Sequence, residues 1–241
     1  MAGHSRWSKV KRSKGISDVK RGALFSKLAK EITVATRLSG RDPNFNPRLR
    51  TAITTARAES MPVENIDRAI LKGTGELEGG GTIEEIMYEG YAPGGVALLV
   101  ETTTDNKNRT AAEIRHLFTK HGGNLAGSNS VAWMFKRHGV FLLEKTDPNT
   151  ALEVSLEAGA DDVRTLDEHS TEVICPPDKF DTVDKALRAA QLIPTASRFL
   201  YEPENQAPSP DRETSAKVLA LIEELEDHDD VQTVSPNCII S

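Results

Sequence analysis

Nine cationic side chains fall within the first thirty residues (Arg6, Lys9, Lys11, Arg12, Lys14, Lys20, Arg21, Lys27 and Lys30) against a single acid, Asp18. Lysine and arginine at that density do one kind of chemistry well. They neutralise phosphates and release the counterions condensed on a nucleic acid. Carried on to Gly73, past Arg37, Arg50 and Arg57, the count is 16 basic and 6 acidic residues, a net of +10; residues 74–241 hold 14 and 30, a net of −16. The overall −6 therefore hides two parts of opposite sign, the pattern of a polyanion-binding segment attached to a solvated acidic body. Trp7 stands inside the basic run, where an indole can stack on a base or sugar or anchor the run to the body. No base-reading motif accompanies it, so sequence-specific recognition is not supported.

A second polar set is TTTDNKNRT at 102–110, expected between a strand end and a helix N-terminus. Asn106, Lys107, Asn108 and Arg109 make it a candidate second anion site, because free backbone N–H groups at a helix start accept an anion. Ordinary turn and cap chemistry accounts for the same Asp and Asn residues.

Other reactive types form no constellation. The six histidines (4, 116, 121, 138, 169 and 228) give no His-Glu-x-x-His pattern, and His116 and His121 lie five apart, a spacing that does not share a helix face. Cys175 and Cys238 are distant and without partner motifs; they are neither a disulfide framework nor a zinc pair and suit a reducing compartment. The paired acids of 223–230 read as a solvated surface. Neither GTGELEGGG nor PGG is followed by the Lys-Ser/Thr of a phosphate-cradling loop. No catalytic residues, no metal and no cofactor are expected.

The elements that must position these residues follow from periodicity. Residues 1–16 have no apolar repeat and read as a basic arm. A helix starts near Ser17, with Leu24, Phe25, Leu28, Ile32, Ala35 and Leu38 on one face, Lys27, Lys30 and Arg37 opposite, and Gly40 as its end. Asn46-Pro47 opens a second helix with Leu49, Ala52, Ile53 and Ala56 inward, and Pro62 a third, closed by Gly73. The three make a small basic α-helical domain over 17–78, and the segment GTGELEGGG reads as a hinge. Beyond it the spacing predicts a hairpin (83–91 and 96–103), a helix over 109–121 with a Thr110/Glu113 capping box, and a strand over 130–136. The order strand 140–144, helix 151–158, strands 162–166 and 171–174, helix 179–190, strand 196–201 is the βαββαβ split unit. A helix over 213–226 and a strand over 231–234 supply what the earlier strands lack. The expected fold is therefore multidomain, a three-helix bundle plus two α+β ferredoxin-like domains. One of these, 138–204, is inserted in the other, built from 82–137 with 205–241.

No apolar run approaches a bilayer-spanning length, and the start lacks the apolar core of a signal peptide. Its Ser- and Arg-containing, acid-poor composition also resembles an organelle transit peptide.

The blocks AGHSRW, DVKRGALFSKLAKEI, DPNFNPRLRTAI, MPVENIDRAILKGTG, YEGYAPGG, TDNKNRTAAEIRH and HGGNL with SVAWMF closely resemble the YebC family. That family includes bacterial proteins classed as probable transcriptional regulators and a mitochondrial translational activator of cytochrome c oxidase. The likeness is specific to about Lys145 and looser beyond. It implies a three-domain fold, no enzymatic activity and a cytoplasmic location in bacteria. Because the family opening stands at residue 2, the transit-peptide reading recedes. The expected function is a cytoplasmic, non-enzymatic regulator that binds duplex DNA through its basic head, with the acidic domains open to a protein partner and no membrane contact. The rival is a ribosome-associated translation factor with the same surface on ribosomal RNA. A pure interaction scaffold leaves the +10 head unexplained, and a phosphoryl-transfer enzyme lacks a metal constellation.

Overall fold

Small residues bring the first helices together. The computed structural model describes residues 18–77 and 83–240, with the backbone alone for 18–20, so the arm and the centre of the expected hinge lie outside the described residues. Helices α1 (Asp18–Ser39), α2 (Pro47–Ala58) and α3 (Val63–Thr74) enclose a core of Ile32, Ala35, Leu49, Ala52, Ile53, Ala56, Met61, Ile66 and Ala69. Gly73 lies inside α3 and not at its end; a Cβ there would meet Thr36 Cβ at 2.6 Å and the Thr33 carbonyl at 2.7 Å. Helix α3 ends instead on Gly75, in the left-handed conformation with φ 80°, which glycine adopts without strain. Gly40 ends α1 in the same way, at φ 86°.

Asn46 sets the α1–α2 corner. Its side-chain oxygen caps α2 by accepting the Leu49 N–H (3.0 Å), while its amide donates to the carbonyls of Ala35 and Gly40, both at 2.8 Å. Residues 32–36 of α1 are buried on every side, since α1 sits between the other helices and strand β2. The single apolar face expected for α1 is thus only part of its buried surface. Leu38 turns out to be 63% exposed because the last turn overruns the bundle.

The remainder forms two four-stranded antiparallel sheets with four helices. Strands β1 (Glu84–Tyr91) and β2 (Ala97–Thr104) pair as a hairpin, with β3 (Asn124–Leu125) beside β1 and β8 (Val231–Pro236) beside β2, in the order β3-β1-β2-β8. Helices α4 (Lys107–Lys120) and α7 (Arg212–Asp227) cover one face, burying Leu98, Val100, Ile114, Phe118, Val218, Leu221 and Leu225. The second sheet takes β4 (Phe135–Glu144), β5 (Asp162–Asp167), β6 (Ser170–Cys175) and β7 (Ala196–Pro203) in the order β5-β6-β4-β7. Helices α5 (Pro148–Glu157) and α6 (Phe180–Ala189) pack on it around Phe141, Val173, Phe180 and Leu187.

Two local readings differ from the sequence expectation. Residues 130–134 are a turn and a short 3₁₀ segment, and β4 runs unbroken from 135 to 144, because all of 135–142 pairs with β7. The expected 137/138 division thus lies within one strand. Thr110 is inside α4 rather than capping it. The cap is Asn106, which accepts the Arg109 N–H at 3.1 Å, and Thr110 bonds Thr104 and Asp230 instead.

Replacing Asn46, only 1% exposed, by Ala removes a cap and two buried donors together. The expected cost in chemical denaturation is on the order of 2–4 kcal/mol, with Asn46→Asp, which keeps the cap, falling between. A change below about 0.5 kcal/mol would show that the corner does not depend on it.

Candidate nucleic-acid interface

The cations of α1 and α2 do not form an open stripe; several reach the acidic body. Lys27 Nζ donates to the Glu226 carbonyl at 2.5 Å, at the C-terminus of α7, where exposed carbonyls and the helix dipole favour a positive charge. One turn on, Lys30 Nζ reaches the Asp229 carbonyl at 3.0 Å and Asp230 Oδ1 at 2.5 Å. Arg37 donates to the Ile83 carbonyl at 3.0 Å. From α2, Arg50 donates to the Pro43 carbonyl and to Asp181 on α6, with Asp184 at 3.6 Å. Arg21 and Arg57 lie on the exposed surface. Arg6, Trp7, Lys9, Lys11, Arg12 and Lys14, and the side chain of Lys20, lie outside the described residues. Of the expected contact residues, Lys27, Lys30, Arg37 and Arg50 thus hold the helices onto the two sheets.

The candidate second anion site also changes character. Arg109 NH2 lies 2.9 Å from Asp230 and 3.2 Å from Asp105, with Glu113 3.8 Å from its Nε. Three carboxylates around one guanidinium disfavour an incoming anion there; Arg109 belongs to an ion-pair network, Asn106 caps the helix start, and Lys107 and Asn108 lie exposed in its first turn.

Asp230 is the centre of that network. It accepts from Lys30, Arg109, Thr104 (3.1 Å) and Thr110 (2.7 Å). Burial pushes its carboxyl up, but these donors outweigh that and hold it far below the usual carboxylate range. Beside it a groove of about 870 Å³ is lined by Lys30, Arg109, Glu113, His116, Leu117 and His228, among others. Glu113, His228 and Asp230 place their ligand atoms within 4.8 Å of one another, a grouping invisible in a sequence that sets Glu113 and His228 115 residues apart.

The imidazole of His228 is hydrogen-bonded at both nitrogens within this grouping. His228 Nδ1 accepts the Asp230 N–H at 3.1 Å, and its Nε2 meets Glu113 Oε2 at 2.9 Å. With Nδ1 as acceptor, the proton sits on Nε2 and points at Glu113. Both ring nitrogens of His228 are thus engaged, while the Glu113 carboxylate lines the groove.

Residues 5–76 match the TACO1/YebC protein N-terminal domain, and residues 83–238 match the TACO1/YebC second and third domain. The chain belongs to the TACO1/YebC family. A "Probable transcriptional regulatory protein" of Methylacidiphilum infernorum is 51% identical over 239 residues, covering 98% of this chain and 95% of that one. One from Treponema pallidum, similarly named, is 49% identical over 242 residues, covering 100% and 98%. The crystal structure of the conserved hypothetical protein Aq1575 from Aquifex aeolicus is 46% identical, with a TM-score of 0.84 over 93% of this chain and 92% of that one. No helix among the described residues is long and apolar enough to cross a membrane.

In this TACO1/YebC chain the contact that sequence reasoning missed is Arg48, one of several arginines with no local mark. Its guanidinium bonds Glu31 on α1 (2.7 and 2.8 Å) and Glu85 on β1 (2.6 and 3.2 Å). Burial alone would lower the guanidinium's pKa; the two carboxylates raise it further than burial lowers it. Close by on β2, burial raises the Glu101 carboxyl to about 7; Arg137 on β4 opposes this, and Glu31 and Glu85 reinforce it.

Glu101 in the fold keeps its proton to higher pH than it does in the unfolded chain. The folded state therefore binds more protons between about pH 4.5 and 7 and loses stability as pH rises through that window. Glu101→Gln is expected to flatten the slope, by on the order of 3 kcal/mol between pH 4 and pH 8. Denaturant unfolding of both chains across that range checks it, and parallel pH profiles would remove Glu101 from the account.

Proposed function

We propose that this chain is a non-enzymatic, cytoplasmic nucleic-acid-binding protein, a transcriptional regulator that holds duplex DNA by its phosphates. The observation that carries the reading is the net +10 of residues 1–73 joined to a body of net −16. We assign the contacts to Arg6, Lys9, Lys11, Arg12, Lys14, Lys20, Arg21 and Arg57, with Trp7 among them; Lys27, Lys30, Arg37 and Arg50 serve docking. The names of the relatives support the regulatory role. The hydrogen bonding of His228 supports a chain without acid–base catalysis at its best-formed polar cluster. The acidic surface of the two sheet-bearing parts is the side left for a protein partner.

We infer the domain division 1–16, 17–78, 82–137 with 205–241, and an inserted 138–204. The pairing of β8 with β2 and the βαββαβ order of the second sheet support a ferredoxin-like inserted unit, with the first sheet in the same α+β class. A second reading, ribosomal RNA as the target, draws support from α1. Its residues 32–36 are buried all round, so it is not free to enter a major groove as a recognition helix does.

Binding through five to seven phosphates predicts a log–log salt slope of roughly −4.5 to −6.3 on duplex DNA. Charge reversal of Lys9, Lys11, Arg12 and Lys14 to Glu is expected to abolish most of the slope and leave thermal unfolding unchanged. A salt-independent affinity in fluorescence titration would refute the phosphate reading.

A further inference from the structure

Glu89 lies on β1, is 5% exposed and, among the described residues, has no cationic side chain hydrogen-bonded to it. Its carboxylate instead accepts three backbone N–H groups, from Asn129, Val131 and Ala132, each at 2.7 Å. Burial would push the carboxyl up, but these backbone donors hold it below its ordinary value, so it is charged at neutral pH. The Glu89 carbonyl adds a fourth tie, accepting the Ala126 N–H at 2.7 Å. A buried charge is costly unless its bonds are saturated, and all of these run into a single surface loop.

That loop ends on Trp133. Trp133 is 69% exposed, while its Nε1–H is tied back to the Ser130 carbonyl at 3.1 Å. Tyr91 donates to the same carbonyl at 3.2 Å, and Val131 and Phe135 on either side are buried against Ala97 and Leu99. The indole therefore stands out from a fixed base rather than from a floppy connection. Its sequence neighbours Gly127, Ser128 and Asn129 are exposed and small. From Gly122 to Phe135 there is no charged residue at all, in a chain that is 27% charged.

We propose that Trp133, held out by the Glu89-pinned loop, stacks on an unpaired nucleobase of a single-stranded nucleic acid. This rests on the nucleic-acid reading above and adds to it the kind of strand the body takes. A flat π-face is what any base accepts regardless of sequence. The loop carries no charge of its own and the Glu89 carboxylate beneath it is buried, so nothing on the loop repels the backbone that carries the base. Ser128 and Asn129 supply exposed neutral hydrogen-bonding groups in the same loop. A protein partner needs roughly 800 Å² per side with an apolar centre, and a lone indole among Gly, Ser and Asn does not offer that. Glu89 is a positioning residue: it touches no base and acts through the loop.

The test is binding of the full chain to three labelled probes of equal length, followed by fluorescence anisotropy at fixed salt: twelve-nucleotide oligo(dT), the same strand made abasic, and a twelve-base-pair duplex. Trp133→Ala is expected to weaken oligo(dT) binding about 5- to 150-fold, the weight of one base–aromatic stack. Abasic and duplex binding should be unmoved, and Trp133→Phe should restore most of the loss. In a Trp7→Phe background, Glu89→Gln should weaken oligo(dT) binding and also raise the mobility of the Trp133 indole in time-resolved fluorescence, which a loss of charge alone would not do. Equal binding by wild type and Trp133→Ala, or by oligo(dT) and its abasic form, overturns the stacking role while leaving the phosphate reading in place. If Trp133→Ala instead only disrupts self-association in sedimentation, the indole is a protein contact and the inference fails. No binding of any probe by the wild type removes the nucleic-acid reading itself.

Discussion

Arg48 is the contact on which the arrangement of this chain depends. It leaves α2, binds both oxygens of Glu31 on α1, and reaches across to both oxygens of Glu85 on β1. A guanidinium presents five donors in a rigid plane, so it can satisfy two carboxylates at once where an ammonium could not hold both geometries. Around it stand three acids, Glu31, Glu85 and Glu101, and two arginines, Arg48 and Arg137. One carboxylate is in excess where water is scarce. Glu101, raised to about 7, is the one that can relieve the imbalance by taking up a proton.

The same logic explains where the head's positive charge goes. Lys27 and Lys30 on one side, and Arg50 on the other, bind carbonyls and carboxylates of both sheet-bearing parts. Singly, an exposed ion pair contributes little. Lys30 with Asp230 differs, because the Asp230 side chain is almost fully buried and losing one partner would leave a charge stranded. The opposite signs of head and body therefore orient the helices on the sheets. A charge count cannot reveal this use, since a cation bonded within the fold looks in sequence like any other.

Much of the fold was legible because it is local. The helical repeat marked Leu49, Ala52, Ile53 and Ala56, and all four are buried. Asn46-Pro47 announced a helix start, and the element order of 135–203 followed from alternating periods. What escaped is what depends on contacts remote in sequence. Gly73 reads as a stop, yet it is needed where α3 meets Thr33 and Thr36. Thr110 has capping-box spacing, yet Asp230 claims its hydroxyl. Residues 130–136 have strand-like composition, but Glu89 bends the backbone of 129–132 around its carboxylate. The candidate site suffered most, because Arg48 and Glu89 carry no local signature.

Three charges, Arg48 half-buried and Asp230 and Glu89 buried, thus do similar work in different places. Arg48 fixes helices to sheet, Asp230 fixes α1 and α4 to the α7–β8 turn, and Glu89 fixes a loop to β1. Apolar residues of the same size would bury comparable surface and tolerate many relative placements. A charge that must find specific donors tolerates few. In each case the partners lie on segments distant in the chain, so a misdocked arrangement leaves an ion unpaired at a cost of several kcal/mol. Such groups are weak evidence of stability and better evidence that one arrangement is singled out. Holding three helices and a loop in one fixed placement on two sheets calls for that selectivity more than for a deeper core.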